Sequence, residues 1–204
     1  GFVVCGNDHL GHGKTCQNPD HFGFFAEEKG YQYLIEDLHQ VSLFLKKRYP
    51  QLPLFLFGHS MGSMITRLYL SKYSSLLQGV VICGTAGPNP ASKAGMLLCK
   101  QVIAKKGEFS HSSQLQKLIF GSYNNRCSHP KNEWAWLSRD DEMVDAYIQD
   151  PLCGFPFTAS GFVVPAIFLQ HSGMVQNTRP KSSNAVDFWS DGPGRQLWKR
   201  NSYD

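Results

Sequence analysis

Gly58-His59-Ser60-Met61-Gly62 is a G-x-S-x-G motif. A serine in this setting becomes a nucleophile when a sharp turn lifts its oxygen clear of the backbone. Ser60 is therefore the candidate nucleophile, and His59 beside it a candidate substrate-binding residue. The backbone N–H of Met61 is a candidate oxyanion donor, because helix N-termini carry unpaired N–H groups and the positive end of the helix dipole. Gly58 and Gly62 are both expected to be required, since a side chain at either would collide with the neighbouring strand or helix. This chemistry needs no cofactor and no metal.

The elements around the motif suit it. Leu54-Phe55-Leu56-Phe57 is a continuous apolar run, too short for a helix, and reads as a buried parallel strand. Met64 to Leu70 reads as the helix leading out. Upstream, Tyr33, Leu34, Leu38, Val41 and Leu45 recur at helical spacing, and Pro50 stops the helix. Gly79 to Cys83 reads as another buried strand, and Phe2 to Cys5 as an earlier one. Gly1 to Gly84 thus reads β-α-β-α-β, which implies a parallel sheet flanked by helices. Residues 91–150 show short helical patterns and no convincing strand. From Val163 onward only Val163 to Leu169 offers a strand-like run.

Two other readings of the first loop are weaker. Gly13-Lys14-Thr15 lacks the phosphate-binding pattern, because Asp8 stands where that motif needs glycine and would repel phosphate. His9 and His12 near Asp8 lack further ligand spacing, so no metal site is expected.

Composition narrows the class. The chain has 204 residues, 42% hydrophobic and 18% charged, with a formal net charge of +4. That is enough for one folded domain with an insertion, and too apolar for disorder. The densest basic cluster is Lys46-Lys47-Arg48, which suits a helix C-terminus. No basic stripe with interleaved aromatics signals nucleic acid. Cys5, Cys16, Cys83, Cys99, Cys127 and Cys153 include no C-x-x-C pair, and a reducing cytoplasm is the simpler reading. No signal peptide or membrane-spanning run is visible. The chain starts at Gly1 inside an apolar run, so an upstream portion of the protein is expected.

Asp8-His9-Leu10-Gly11-His12-Gly13, followed by Lys14-Thr15, resembles the D-x-R-G-H-G-x-S/T segment of the monoacylglycerol lipase and lysophospholipase group of α/β-hydrolases. That group is also described as serine aminopeptidase-like, and G-H-S-M-G is a form of the elbow it commonly uses. The runs Asn132 to Arg139 and Thr158 to Phe162 also look like bacterial members. The resemblance covers Gly1 to Phe162, and Leu10 departs from the usual Arg. It implies an α/β-hydrolase fold with a helical cap insertion, incomplete at both ends. Residues 1–87 would be the core and 88–160 a cap with an apolar inner face suited to an acyl chain. It also implies a second oxyanion donor from a His-Gly loop upstream of Gly1. The triad acid and histidine should follow the cap in the order Ser, Asp, His.

They do not follow in that order. After the cap the chain has one histidine, His171, and it precedes both candidate acids, Asp187 and Asp191. The triad Asp and His are therefore not identifiable. Reading residues 183–200 shifted by one base permits an apolar strand followed by G-x-x-D-P-V-G, as in the family's acid loop. The motif's first glycine, arising from Trp189, is forced, as is a later glycine arising from Trp198. Residues 161–204 are accordingly expected to be an aberrant, frameshifted tail, beginning its shift between Phe162 and Lys181. The resemblance implies a serine hydrolase of carboxylic esters, acting on a small acyl ester of monoacylglycerol or lysophospholipid type. Transient contact with membrane lipid goes with such a substrate. The alternatives are a peptidase or thioesterase on the same fold, or a remnant without turnover. The chain itself is expected to be inactive or nearly so, and poorly soluble through exposed sheet edges.

Overall fold

A computed structural model describes residues 1–171, 188–190 and 196–198. It divides into two compact units. The first comprises Gly1–Asn7, Lys29–Lys93 and Val164–Asp204. The second comprises Asp8–Glu28 and Ala94–Val163.

In the first unit, helix α1 (Gly30–Arg48) precedes strand β1 (Phe55–His59), helix α2 (Met61–Tyr73) and strand β2 (Gly79–Cys83). The two strands pair in parallel, with Phe55 opposite Gly79 and His59 opposite Cys83. β-branched Val80, Val81 and Ile82 suit the pleated surface of β2. Leu34 and Ile35 of α1 and Ile65, Tyr69 and Leu70 of α2 are buried with Leu77 and Val80. Each such side chain contributes roughly 1.5–3 kcal/mol when fully removed from water. The buried face of α1 includes Ser42, whose hydroxyl donates to the Leu38 carbonyl at 2.8 Å. Tyr33, placed by its spacing on the apolar face, is instead 51% exposed.

Three sequence expectations need correction. Phe2 to Cys5 forms no strand; Phe2 and Val4 are 96% and 88% exposed. A strand needs a neighbour for its backbone groups, and no ladder partner for this run exists among the described residues. β1 is a parallel strand but not a buried one, since Phe55 and Phe57 stay exposed. β2 pairs with one edge only, and among the described residues no strand pairs with the other. Third, Val163–His171 is helix α6 and not a strand. Pro165 decides between the two: in the first turn of a helix its missing N–H costs nothing, whereas a central strand would lose a ladder bond. Val164, Ala166 and Phe168 are buried within α6. Beyond it, β3 (Phe188–Ser190) and β4 (Gln196–Trp198) pair antiparallel.

The second unit contains most of α3 (Ala91–Lys106), then α4 (Ser113–Phe120) and α5 (Asp141–Gln149). Ser112 caps α4 and Asp140 caps α5, each accepting from a first-turn N–H. Cys99, Leu115, Ala159 and Phe162 form its core, with Val102, Ile103 and Phe157 packed against them. The first loop, Asp8–Glu28, belongs to this unit, although sequence order groups it with residues 1–87.

Candidate active site

Ser60 sits at the junction of β1 and α2 with φ 51° and ψ −119°. A non-glycine residue rarely occupies this region, and doing so costs on the order of 1–3 kcal/mol. Local bonds hold it there. Its N–H donates to the Cys83 carbonyl at 2.9 Å, carrying the β1–β2 ladder one residue past the strand. Its carbonyl accepts from the Ser63 N–H at 3.0 Å and the Ser63 hydroxyl at 2.5 Å. Ser63 is fully buried and was not picked out from the sequence. A hydroxyl three residues after the elbow serine, able to close the first helical turn, is the signal that could have found it.

Gly58 meets its expected constraint. A Cβ there would lie 2.3 Å from Thr66 Oγ1 and 2.5 Å from the Gly62 carbonyl oxygen. Gly62 does not: a Cβ there meets nothing within 4 Å. The close approach is made onto the backbone of Gly62, so only Gly58 has to lack a side chain.

The Ser60 side chain is exposed and, among the described residues, has no hydrogen-bond partner. The Met61 N–H opens α2 and donates to no acceptor among those residues. A hydroxyl and an unpaired N–H on adjacent residues at a helix N-terminus can bind an oxyanion next to an attacking oxygen. His59 is exposed, and its ring lies over Gly84. A Cβ on Gly84 would come within 3.3 Å of His59 Nε2, and Gly84 itself takes φ 59°. The segment after β2 is anchored by Arg67, another residue the motif did not flag. Arg67 is 8% exposed and its Nη1 donates to the Ala86 carbonyl at 3.0 Å. Burial lowers its pKa from the ordinary guanidinium value.

The first loop is ordered by its own side chains. Asp8 Oδ2 accepts from the Lys14 N–H at 2.9 Å, so a carboxylate fills the place a phosphate-binding loop leaves for phosphate. His12 Nδ1 lies 2.9 Å from the Leu10 carbonyl, and the ring packs among Phe25, Phe155 and Phe157. Among the described residues no group of three or more His, Cys, Asp or Glu could hold a metal. No described helix is long and apolar enough to cross a membrane. The His171 side chain, Asp187, Asp191 and most of the shifted-frame segment lie outside the described residues.

Comparison with known proteins decides the family. The family described as serine aminopeptidase, S33 matches residues 1–166. The chain belongs to that family. Monoglyceride lipases of Mus musculus and Homo sapiens are 28% identical to it over 153 and 151 residues. Each match covers 74% of this chain and 43% of the relative, so the chain spans less than half the length of these curated relatives. A thermostable carboxyl esterase from Bacillus coagulans, solved with glycerol, is 31% identical with a TM-score of 0.71. That match covers 80% of this chain and 53% of the esterase. A lipase solved in an open form superposes with a TM-score of 0.72 at 23% identity, over 89% and 60% of the two chains. The fold is that of the α/β-hydrolases, and the S33 match reaches past the expected start of the tail at 161 into α6.

Proposed function

We propose that the protein is a serine hydrolase of carboxylic esters, with Ser60 as nucleophile and the Met61 N–H as one oxyanion donor. The observation that carries this reading is the backbone of Ser60, held at φ 51° between a strand and a helix N-terminus. The Ser60 oxygen attacks the ester carbonyl, a histidine takes its proton, and an acid orients that histidine. The alcohol leaves with the proton, and water releases the acid from the acyl-enzyme. In this reading residues 88–160 are the cap, His59 contacts substrate, and the substrate is an acyl glycerol of the monoacylglycerol or lysophospholipid type. The names of the relatives, monoglyceride lipase and carboxyl esterase, support an ester over an amide.

A second reading is a remnant that keeps the elbow without turnover. The order of His171 before Asp187 and Asp191, against the Ser, Asp, His order of the triad, favours it. One assay separates the two. The folded chain is treated with a fluorophosphonate probe, and adducts are mapped by mass spectrometry. An adduct on Ser60, lost in Ser60→Ala, supports the hydrolase. A folded chain that leaves Ser60 unmodified establishes the remnant for this chain, and an intact, folded relative with the same elbow that also leaves its serine unmodified overturns the hydrolase.

A further inference from the structure

The second compact unit is made of two stretches far apart in sequence, and the way they meet is specific. Gly23 and Gly161 touch backbone to backbone: a Cβ on Gly161 would lie against the Gly23 carbonyl oxygen at 1.8 Å. A Cβ on Gly23 would lie 2.6 Å from the Phe157 Cα, and Gly23 takes φ 75°. Neither glycine can carry a side chain without parting the two segments.

Hydrogen bonds fix the same contact. Thr158 Oγ1 donates to the Gly23 carbonyl at 3.3 Å and accepts from the Gly161 N–H at 3.0 Å. Ser160 Oγ donates to the Ala26 carbonyl at 3.2 Å. Within the loop, the Gly23 N–H donates to the Gly11 carbonyl at 2.9 Å. On the far side, Ala159 and Ser160 donate to the carbonyls of Ser110 and Glu108. Aromatic pairs flank the junction: Phe22 on Phe155, Phe24 on Phe109 and Phe25 on Phe157. Thr158 and Ala159 are fully buried. None of these contacts is ionic.

We propose that Asp8–Glu28 is a strap locked onto Ala94–Val163, and that the two segments open and close as one cooperative unit through the Gly23–Gly161 contact. A loop that merely rested on the helical segment would bury side chains only. This one has two of its backbone carbonyls, Gly23 and Ala26, bonded by the hydroxyls of Thr158 and Ser160, and it leaves no room for a Cβ at the crossing. Cooperative units of this kind open with a single free energy. The inference stands whether or not Ser60 is a nucleophile.

Hydrogen exchange of the full chain, read by mass spectrometry, tests it. In Ser160→Ala, losing one bond to Ala26, amide exchange should rise about five-fold in residues 8–28 and in 107–111 and 157–162 together. Exchange in α1 and α2 should stay unchanged. Gly161→Ala should produce a larger rise with the same pattern, and Ser160→Ala serves where that variant fails to fold. A rise confined to residues 8–28 would make the loop an independent flap and overturn the proposal. A uniform rise across α1 and α2 as well would overturn it too, since the strap would then have no cooperative unit of its own.

Discussion

Replacing each elbow glycine by alanine should have opposite effects, although the motif treats them alike. At Gly58 the new methyl would stand 2.3 Å from Thr66 Oγ1 and 2.5 Å from the Gly62 carbonyl oxygen. Both distances fall about 1 Å short of ordinary contact, and one obstacle is backbone, which cannot rotate away. β1 and α2 must therefore separate. Overpacking a buried site costs about 1–3 kcal/mol, and a backbone obstacle puts Gly58→Ala at the upper end, ~3 kcal/mol. At Gly62 the methyl meets open space in the first turn of α2. Helix preference then favours alanine by up to ~1 kcal/mol. Urea unfolding followed by circular dichroism reads the difference. With a slope of about 2 kcal/mol per molar, Gly58→Ala should lower the midpoint by roughly 1.5 M and Gly62→Ala should leave it level or slightly higher. Equal losses in both variants, or a Gly58→Ala midpoint matching the parent, would refute the packing argument.

Three further outcomes follow from the same contacts. Ser60→Gly should be more stable than Ser60→Ala by about 1 kcal/mol, because only glycine relieves the positive φ; equal unfolding midpoints would remove strain from the account. His12 is pushed below its ordinary value of 6.5 chiefly by burial, against the Leu10 carbonyl and Asp8, which raise it. The unfolded chain therefore binds the proton first, so the His12 contribution is complete above 6.5 and is lost as pH falls from there through the depressed folded value. Urea midpoints between pH 5 and 7.5 should drop on the acid side, and less so in His12→Phe; an identical acid-side drop in that variant would acquit His12. Cys99, 2% exposed, has its thiol pushed up to about 11 by burial, so iodoacetamide should modify exposed Cys5 in the folded chain and spare Cys99. Early alkylation of Cys99 would show that the second unit's core is open.

Local chemistry was legible in the sequence and non-local closure was not. The span from α1 through β2 follows from helical spacing, an apolar run of strand length and a glycine turn, each a signal within a few neighbouring residues. Phe2 to Cys5 carries a strand's composition, but a strand is a property of two chains side by side, and composition does not supply the neighbour. Val163 to Leu169 fooled the pattern because an all-apolar run fits either a buried strand or a buried helix; Pro165 held the answer. Assigning Asp8–Glu28 to the first unit follows chain order, whereas the Gly23–Gly161 crossing spans most of the chain. Gly62 was over-read because the motif records where glycine occurs, not which member of a close pair needs it.

The elbow shows which parts of the proposed chemistry are local. The strained backbone of Ser60 is held by Cys83, one ladder step away, and by Ser63, one helical turn away. Ser63 lies on α2 itself, and Cys83 lies on β2, the parallel neighbour of β1. The Met61 N–H is unpaired for the general reason that helices begin with unpaired donors. In the proposed mechanism the position of the nucleophile and the oxyanion donor thus come from the elements between Phe55 and Cys83, without help from a base or an acid. Activation is different, because a histidine must reach Ser60 Oγ from elsewhere in the fold and be oriented when it arrives. A chain can therefore keep the geometry of the reaction while lacking its proton transfer. Hence labelling of Ser60, rather than the shape of the elbow, separates the hydrolase from the remnant.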